Sequence, residues 1–134
     1  MSTRVVAVIT DLFFVARVRE TAKLAGVPLE FAKTPEALEA ALGGEAAATD
    51  AADAVSVSPP RFVLLDLTAG FDYERVFSLP GARGVPVLGF TTHALARRTE
   101  PWHARCARVV TKETLTQELP ALLREGVGAR EPIA

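Results

Sequence analysis

The stretch Arg61-Phe62-Val63-Leu64-Leu65-Asp66-Leu67 decides how the rest of the chain reads. Large apolar residues run unbroken from Phe62 to Leu65 and stop at a carboxylate. Turn signals bracket the run, with Ser58-Pro59-Pro60 before it and Gly70 after it. An apolar run of this length between turns is the habit of a strand covered on both faces, as in parallel sheets. Asp66 then falls at the carboxyl end of that strand, the edge where open α/β sheets bind ligands.

The same pattern recurs on either side. Val5 to Ile9 is apolar and ends at Thr10-Asp11. From Phe14 the period becomes helical. Phe14, Val15, Val18, Ala22 and Ala25 mark one face, and Arg17, Arg19, Glu20 and Lys23 the other. Gly26 suits the position after the helix. Val27 to Ala32 reads as a short strand, and Pro28 near its start points to a sheet edge. Thr34-Pro35 is a helix start, with Thr as N-cap and Pro at the first helical position. That helix turns Ala37, Leu38, Ala41 and Leu42 inward and stops at Gly43-Gly44.

Residues 45 to 60 are small, repetitive and poor in large apolar groups, so they read as an insertion before the central strand. After Asp66, Asp72 can cap a short helix that carries Val76 and Phe77 and ends at Leu79-Pro80-Gly81. Val85 to Phe90 is a fourth strand, followed by Thr91-Thr92-His93. A helix with a break at Pro101 covers His93 to Arg105. Ala107 to Val110 is a fifth strand, ending at Thr111-Lys112. Thr114 and Gln117 have capping-box spacing for a last helix over 115–125, which Pro120 would delay or bend. Residues 126–134 read as a tail.

Strands and helices therefore alternate throughout, which predicts a single α/β domain. The expected architecture is a flavodoxin-like, three-layer sandwich around a five-stranded parallel sheet in the order 2-1-3-4-5. Strands should begin near residues 5, 28, 61, 85 and 107, with two helices on one face and three on the other. The chain is 134 residues long, enough for one self-sufficient core and too short for an attached output domain. Its net charge of −1 gives no support to nucleic-acid binding. The lone Cys106 excludes an internal disulfide and a CxxC metal site. Asp11 interrupts what would otherwise resemble a secretory signal, and no apolar run is long enough to cross a membrane. The expected location is the cytoplasm.

In this topology Asp11, Asp66, Thr91 and Lys112 all follow buried strands and reach one sheet edge. Two carboxylates, a hydroxyl and an ammonium suit phosphoryl chemistry. One carboxylate accepts the group, the pair holds a hard divalent cation, and hydroxyl and ammonium steady the phosphoryl oxygens. Each residue also has a plainer reading. Asp11 suits a helix N-cap, Asp66 a bond to turn amides, Thr91 a loop, and Lys112 an ion pair. His93 and His103 suit surface or packing positions, and Cys106 a small buried apolar site.

These strand-end residues make the chain similar to a response-regulator receiver domain, over nearly its whole length from Val5 to about Leu123. The resemblance implies Asp66 as phosphoacceptor, Asp11 as one of an acidic pair with Asp66 and Asp11 holding Mg²⁺, Thr91 as switch hydroxyl and Lys112 as the family's lysine. It also implies a signalling partner such as a histidine kinase or a downstream effector. Three departures stand out. Thr10 replaces one acid of the usual adjacent pair. Val109 replaces the aromatic usual before the lysine. Gly70 lies near the place of the usual proline. They imply an atypical or pseudo-receiver that requires no cofactor, is no enzyme, and works by protein contact. A working phosphoacceptor using Asp66 and Mg²⁺ is the alternative. A flavodoxin-like binder of small ligands comes third, because the loop after the first strand has no glycines for a phosphate.

Charge is unevenly spread. Arg97, Arg98, Arg105, Arg108 and Lys112 face only Glu100 between residues 91 and 112, while Glu36, Glu39, Glu45, Asp50 and Asp53 have no base among them. The basic segment suits an acidic partner or self-association of opposite faces. Arg97, Arg98 and Arg105 would supply its charge, and Trp102 an apolar anchor.

Overall fold

The computed structural model describes residues 4–42, 60–82 and 84–127. The elements are β1 (Val5–Val8), α1 (Leu12–Ala25), β2 (Leu29–Ala32), α2 (Pro35–Ala41), β3 (Phe62–Asp66), α3 (Tyr73–Ala82), β4 (Val87–Thr91), α4 (Ala96–His103), β5 (Arg108–Thr111) and α5 (Lys112–Glu125). A single 3₁₀ turn, His93–Leu95, leads into α4. All five strands are parallel and lie in the order β2-β1-β3-β4-β5, as the alternation predicts. The expected strand starts agree to within about two residues, the usual scatter of element boundaries. β3 is central, and every residue from Phe62 to Asp66 is buried.

Two layers of side chains hold the sheet. On one face Val5, Ala7, Phe62, Leu64, Leu88 and Phe90 pack against α1 (Phe14, Val15, Val18, Ala22) and α5 (Leu115, Leu119, Leu122, Leu123). On the other, Val6, Val8, Val63, Leu65 and Val87 pack against α2 (Leu38), α3 (Tyr73, Val76, Phe77) and Trp102 of α4. The period of 2 along each strand divides its residues between these layers. Two helices cover one face and three the other, as expected.

Several helix ends differ from the sequence reading. α1 begins at Leu12 with Asp11 as its N-cap, which exposes Leu12 and Phe13 to solvent. Gly26 closes it in the left-handed conformation at φ 72°, where a Cβ would be strained. Thr34 caps α2 and Pro35 opens it as predicted, but Ala37 lies outward. α3 does not stop at Leu79-Pro80-Gly81. It runs to Ala82, and the Pro80 carbonyl accepts from the Val85 amide at 2.9 Å. Pro80 lies in the last turns, where losing one helical bond costs least. Pro101 is likewise absorbed inside α4.

α5 starts at Lys112 rather than 115, and its cap is Thr111, not Thr114. Thr111 is the last extended residue, and its hydroxyl accepts from one of the free amides of the first turn, that of Thr114, at 3.2 Å. Pro120 neither delays nor ends the helix, because Leu119, Leu122 and Leu123 around it are buried. Val127, expected in the tail, is buried in the α1–α5 layer. The insertion at 45–60 lies, except for Pro60, outside the described residues, as does the tail from 128.

Candidate functional site

The parallel register sets the edge. Val8 is opposite Leu65, Asp66 opposite Phe90, and Thr91 opposite Thr111. Asp11, Asp66, Thr91 and Lys112 therefore reach the same end of the sheet. Their side chains do not share one set of bonds, however.

Asp11 accepts three hydrogen bonds, and its side chain is 41% exposed. Its Oδ1 accepts from the amides of Phe13 at 3.0 Å and Phe14 at 3.3 Å, the orphan donors of the first turn of α1. Its Oδ2 accepts from Lys112 Nζ at 3.1 Å. The Lys112 hydrogen bond, then the Phe14 amide, hold the Asp11 carboxyl below the usual carboxylate value. The ammonium also lies 4.8 Å from the centre of the Phe14 ring. Both plainer readings, N-cap for Asp11 and ion pair for Lys112, are realised here.

Asp66 is buried, 6% exposed, on the central strand. Its Oδ1 accepts from the Thr68 amide at 2.8 Å and the Thr68 hydroxyl at 2.7 Å, a local turn of the kind short polar side chains favour. Among the described residues its Oδ2 has no hydrogen-bond partner. Tyr73 braces the same loop from below. Its hydroxyl donates to the Asp66 carbonyl at 2.7 Å and accepts from the amides of Ala69 at 3.1 Å and Gly70 at 3.2 Å. Burial pushes the Tyr73 phenol up from its ordinary value. Gly70 sits at φ 81°, which this turn requires.

Thr91 is 3% exposed and turns its hydroxyl to α4, 3.0 Å from that of Thr99. Of the expected contact residues, Arg97 and Arg98 are exposed and have no ion-pair partner among the described residues. Arg105 pairs with Glu74 at 3.4 Å and lies 5.3 Å from the Phe77 ring centre. Trp102 is half-buried, stacked on Phe77 with ring centres 5.8 Å apart and 5.5 Å from Tyr73. Much of its ring therefore packs against α3.

Mg²⁺ is usually held through one or two carboxylates and keeps several of its waters. Asp66 Oδ2 is free among the described residues, Asp11 Oδ2 is shared with the half-exposed Lys112, and the described residues hold no group of three or more His, Cys, Asp or Glu that could share a metal. An ion between Asp11 and Asp66 would compete with Lys112 for Asp11 Oδ2. Sequence reasoning missed Thr68, Tyr73 and Thr99. The Asp66-x-Thr68 spacing is a turn signal that could have flagged Thr68. Nothing local marks Tyr73 or Thr99, whose partners lie across loops or on another element.

No family model matches the chain, and no curated protein sequence matches it. Solved structures do. A response regulator in red light signaling of R. palustris superposes with a TM-score of 0.68 at 19% identity, over 98% of this chain and 99% of that one. A receiver domain from Rhodospirillum rubrum gives 0.64 at 20% identity, covering 96% of each chain. The receiver domain of a sensor histidine kinase from Pseudomonas aeruginosa, which has a magnesium ion coordinated in its active-site cleft, gives 0.66 at 15% identity, over 96% of this chain and all of that one. With the strand order and both helical layers in agreement, the chain has the fold of response-regulator receiver domains.

Proposed function

We propose that this chain is a degenerate receiver-like signalling module that acts through protein–protein contact, with phosphorylation of Asp66 weak or absent. The observation that supports this reading is the pairing of Asp11 with Lys112. The carboxylate that should help bind a cation spends one oxygen on α1 amides and the other on Lys112. The ammonium that should steady a phosphoryl group is held by the same contact. Thr10 in place of an acid and Val109 in place of an aromatic support the same conclusion. The module is not an enzyme in this reading. Its partners are a histidine kinase, a downstream effector or a second copy of itself. The cytoplasm suits such a role, and none of the described helices is long and apolar enough to cross a membrane.

Incubation with Mg²⁺ and a small phosphodonor, followed by intact mass, tests this. Little or no added phosphoryl mass is expected. Robust labelling that disappears in Asp66→Asn would overturn the reading in favour of a working phosphoacceptor. The free Oδ2 of Asp66 is the atom that would then react.

A further inference from the structure

Thr91 is tied to the α4 surface by a chain of three side chains. Thr99, 5% exposed, places its hydroxyl 3.0 Å from that of Thr91, 3.2 Å from the Ala96 carbonyl and 2.8 Å from Nε2 of His103. His103 is half-buried and lines an open groove with His93, Ala96, Arg97 and Glu100. The chain thus runs from the buried sheet edge to a groove on the surface.

Donor counting gives one arrangement in which all three contacts are hydrogen bonds at once. A hydroxyl has one proton and two lone pairs, and a carbonyl only accepts. The arrangement that satisfies all three contacts sends the Thr99 proton to the Ala96 carbonyl. Thr99 Oγ1 then accepts from the Thr91 hydroxyl and from Nε2–H of His103. Both acceptor places on Thr99 are filled, and the Thr91 proton is committed to α4. Leaving a buried hydroxyl unpaired would cost free energy, so the three groups hold one another's orientation.

We infer that Thr99 and His103 are positioning residues that lock the Thr91 hydroxyl toward α4 and couple it to the groove beside Arg97. The inference rests on the receiver-like reading only in giving Thr91 a role at the sheet edge. It adds a route from that edge to α4, a link that Val109 lacks the ring to provide. A change at His103 alters what Thr99 accepts, and so alters what holds Thr91.

Three-bond couplings to the Thr91 methyl report its χ1 rotamer, and long-range ¹H–¹⁵N spectra report the His103 ring. In the wild-type chain Thr91 should occupy one rotamer, with His103 protonated at Nε2. Thr99→Val, nearly isosteric, should average the Thr91 rotamer, and Thr99→Ser should restore it. Thr91→Val should shift the His103 Nε2 resonance while leaving His93 unmoved. An unchanged Thr91 rotamer in folded Thr99→Val, or an unmoved His103 in Thr91→Val, would overturn the relay. Should Thr99→Val not fold, the Thr91→Val arm decides alone. These readouts are independent of phosphoryl labelling, so failure of the relay and failure of the proposed function are separately visible.

Discussion

Removing the Lys112 ammonium should return Asp11 toward ordinary carboxylate behaviour. Lys112→Met deletes the largest cause of its lowered pKa, while the Phe13 and Phe14 amides remain. In the wild-type chain a depressed carboxyl favours the fold above the ordinary value of 3.8, and that contribution is lost as pH falls through the folded value. Carboxyl-detected NMR titration should therefore find Asp11 titrating at higher pH in Lys112→Met than in wild type. An unchanged midpoint would mean the ion pair is not formed in solution. The same change frees Asp11 Oδ2, so Mg²⁺ affinity should rise, and further with Thr10→Asp. Gly89 supplies a second residue-scale prediction. A Cβ there would lie 2.8 Å from Cys106 Sγ and 3.0 Å from Leu67 Cδ1. Gly89→Ala should cost about 1–3 kcal/mol in urea unfolding, as overpacking does. Cys106→Ala should recover part of it. The Cys106 thiol is itself pushed up to about 12 by burial, so it should alkylate slowly at neutral pH until the chain unfolds.

Arginines at the amino-terminal end of the sheet finish two helices. Arg4 donates to the Ala41 carbonyl at 2.6 Å at the end of α2, and Arg61 donates to the carbonyls of Leu123 and Arg124 at the end of α5. The last carbonyls of a helix have no partner of their own, and a cation there also meets the favourable end of the dipole. Arg61→Met should lower stability by about 1–2 kcal/mol, from charged hydrogen bonds lost. Amide exchange should quicken in the last turn of α5 and not in β3. Uniform quickening would show instead that Arg61 supports the whole fold. These contacts join residues 37 to 63 positions apart in the chain, which explains what could be read without coordinates. The strands were legible because Val5–Ile9 and Phe62–Leu65 are apolar runs that only a doubly covered sheet accommodates. The convergence of Asp11, Asp66, Thr91 and Lys112 on one edge followed from topology alone. Their pairing did not. Lys112 had two carboxylates within the same edge to choose from, and only the start of α1 at Leu12 and of α5 at Lys112 settles the choice on Asp11. The ends of α3 and α5 were misjudged because buried Phe77, Leu119 and Leu122 outweigh the local cost of Pro80 and Pro120.

At the scale of the molecule, net charge near zero leaves association to local patches, and the exposed basic groups differ in how free they are. Arg105 is shared with Glu74 and Arg108 with Glu118, and Lys112 is spent on Asp11. Trp102 is held against Phe77, so its ring gives less to a partner than its position in the sequence promised. Arg97 and Arg98 remain as exposed α4 guanidiniums without an ion-pair partner among the described residues. We propose that they steer an acidic partner toward the groove that His103 lines. Reversing both to Glu should weaken association most at low salt, where screening is least. The thermal midpoint should barely move, because exposed substitutions away from packing typically change stability by less than about 0.5 kcal/mol. Sedimentation of the chain alone, and with a captured partner, measures the first, and calorimetry the second. Association that survives the double reversal at low salt would make the basic face a solvated surface and move the contact site elsewhere. A large fall in midpoint would show instead that these side chains support α4, and that their exposure conceals a structural role.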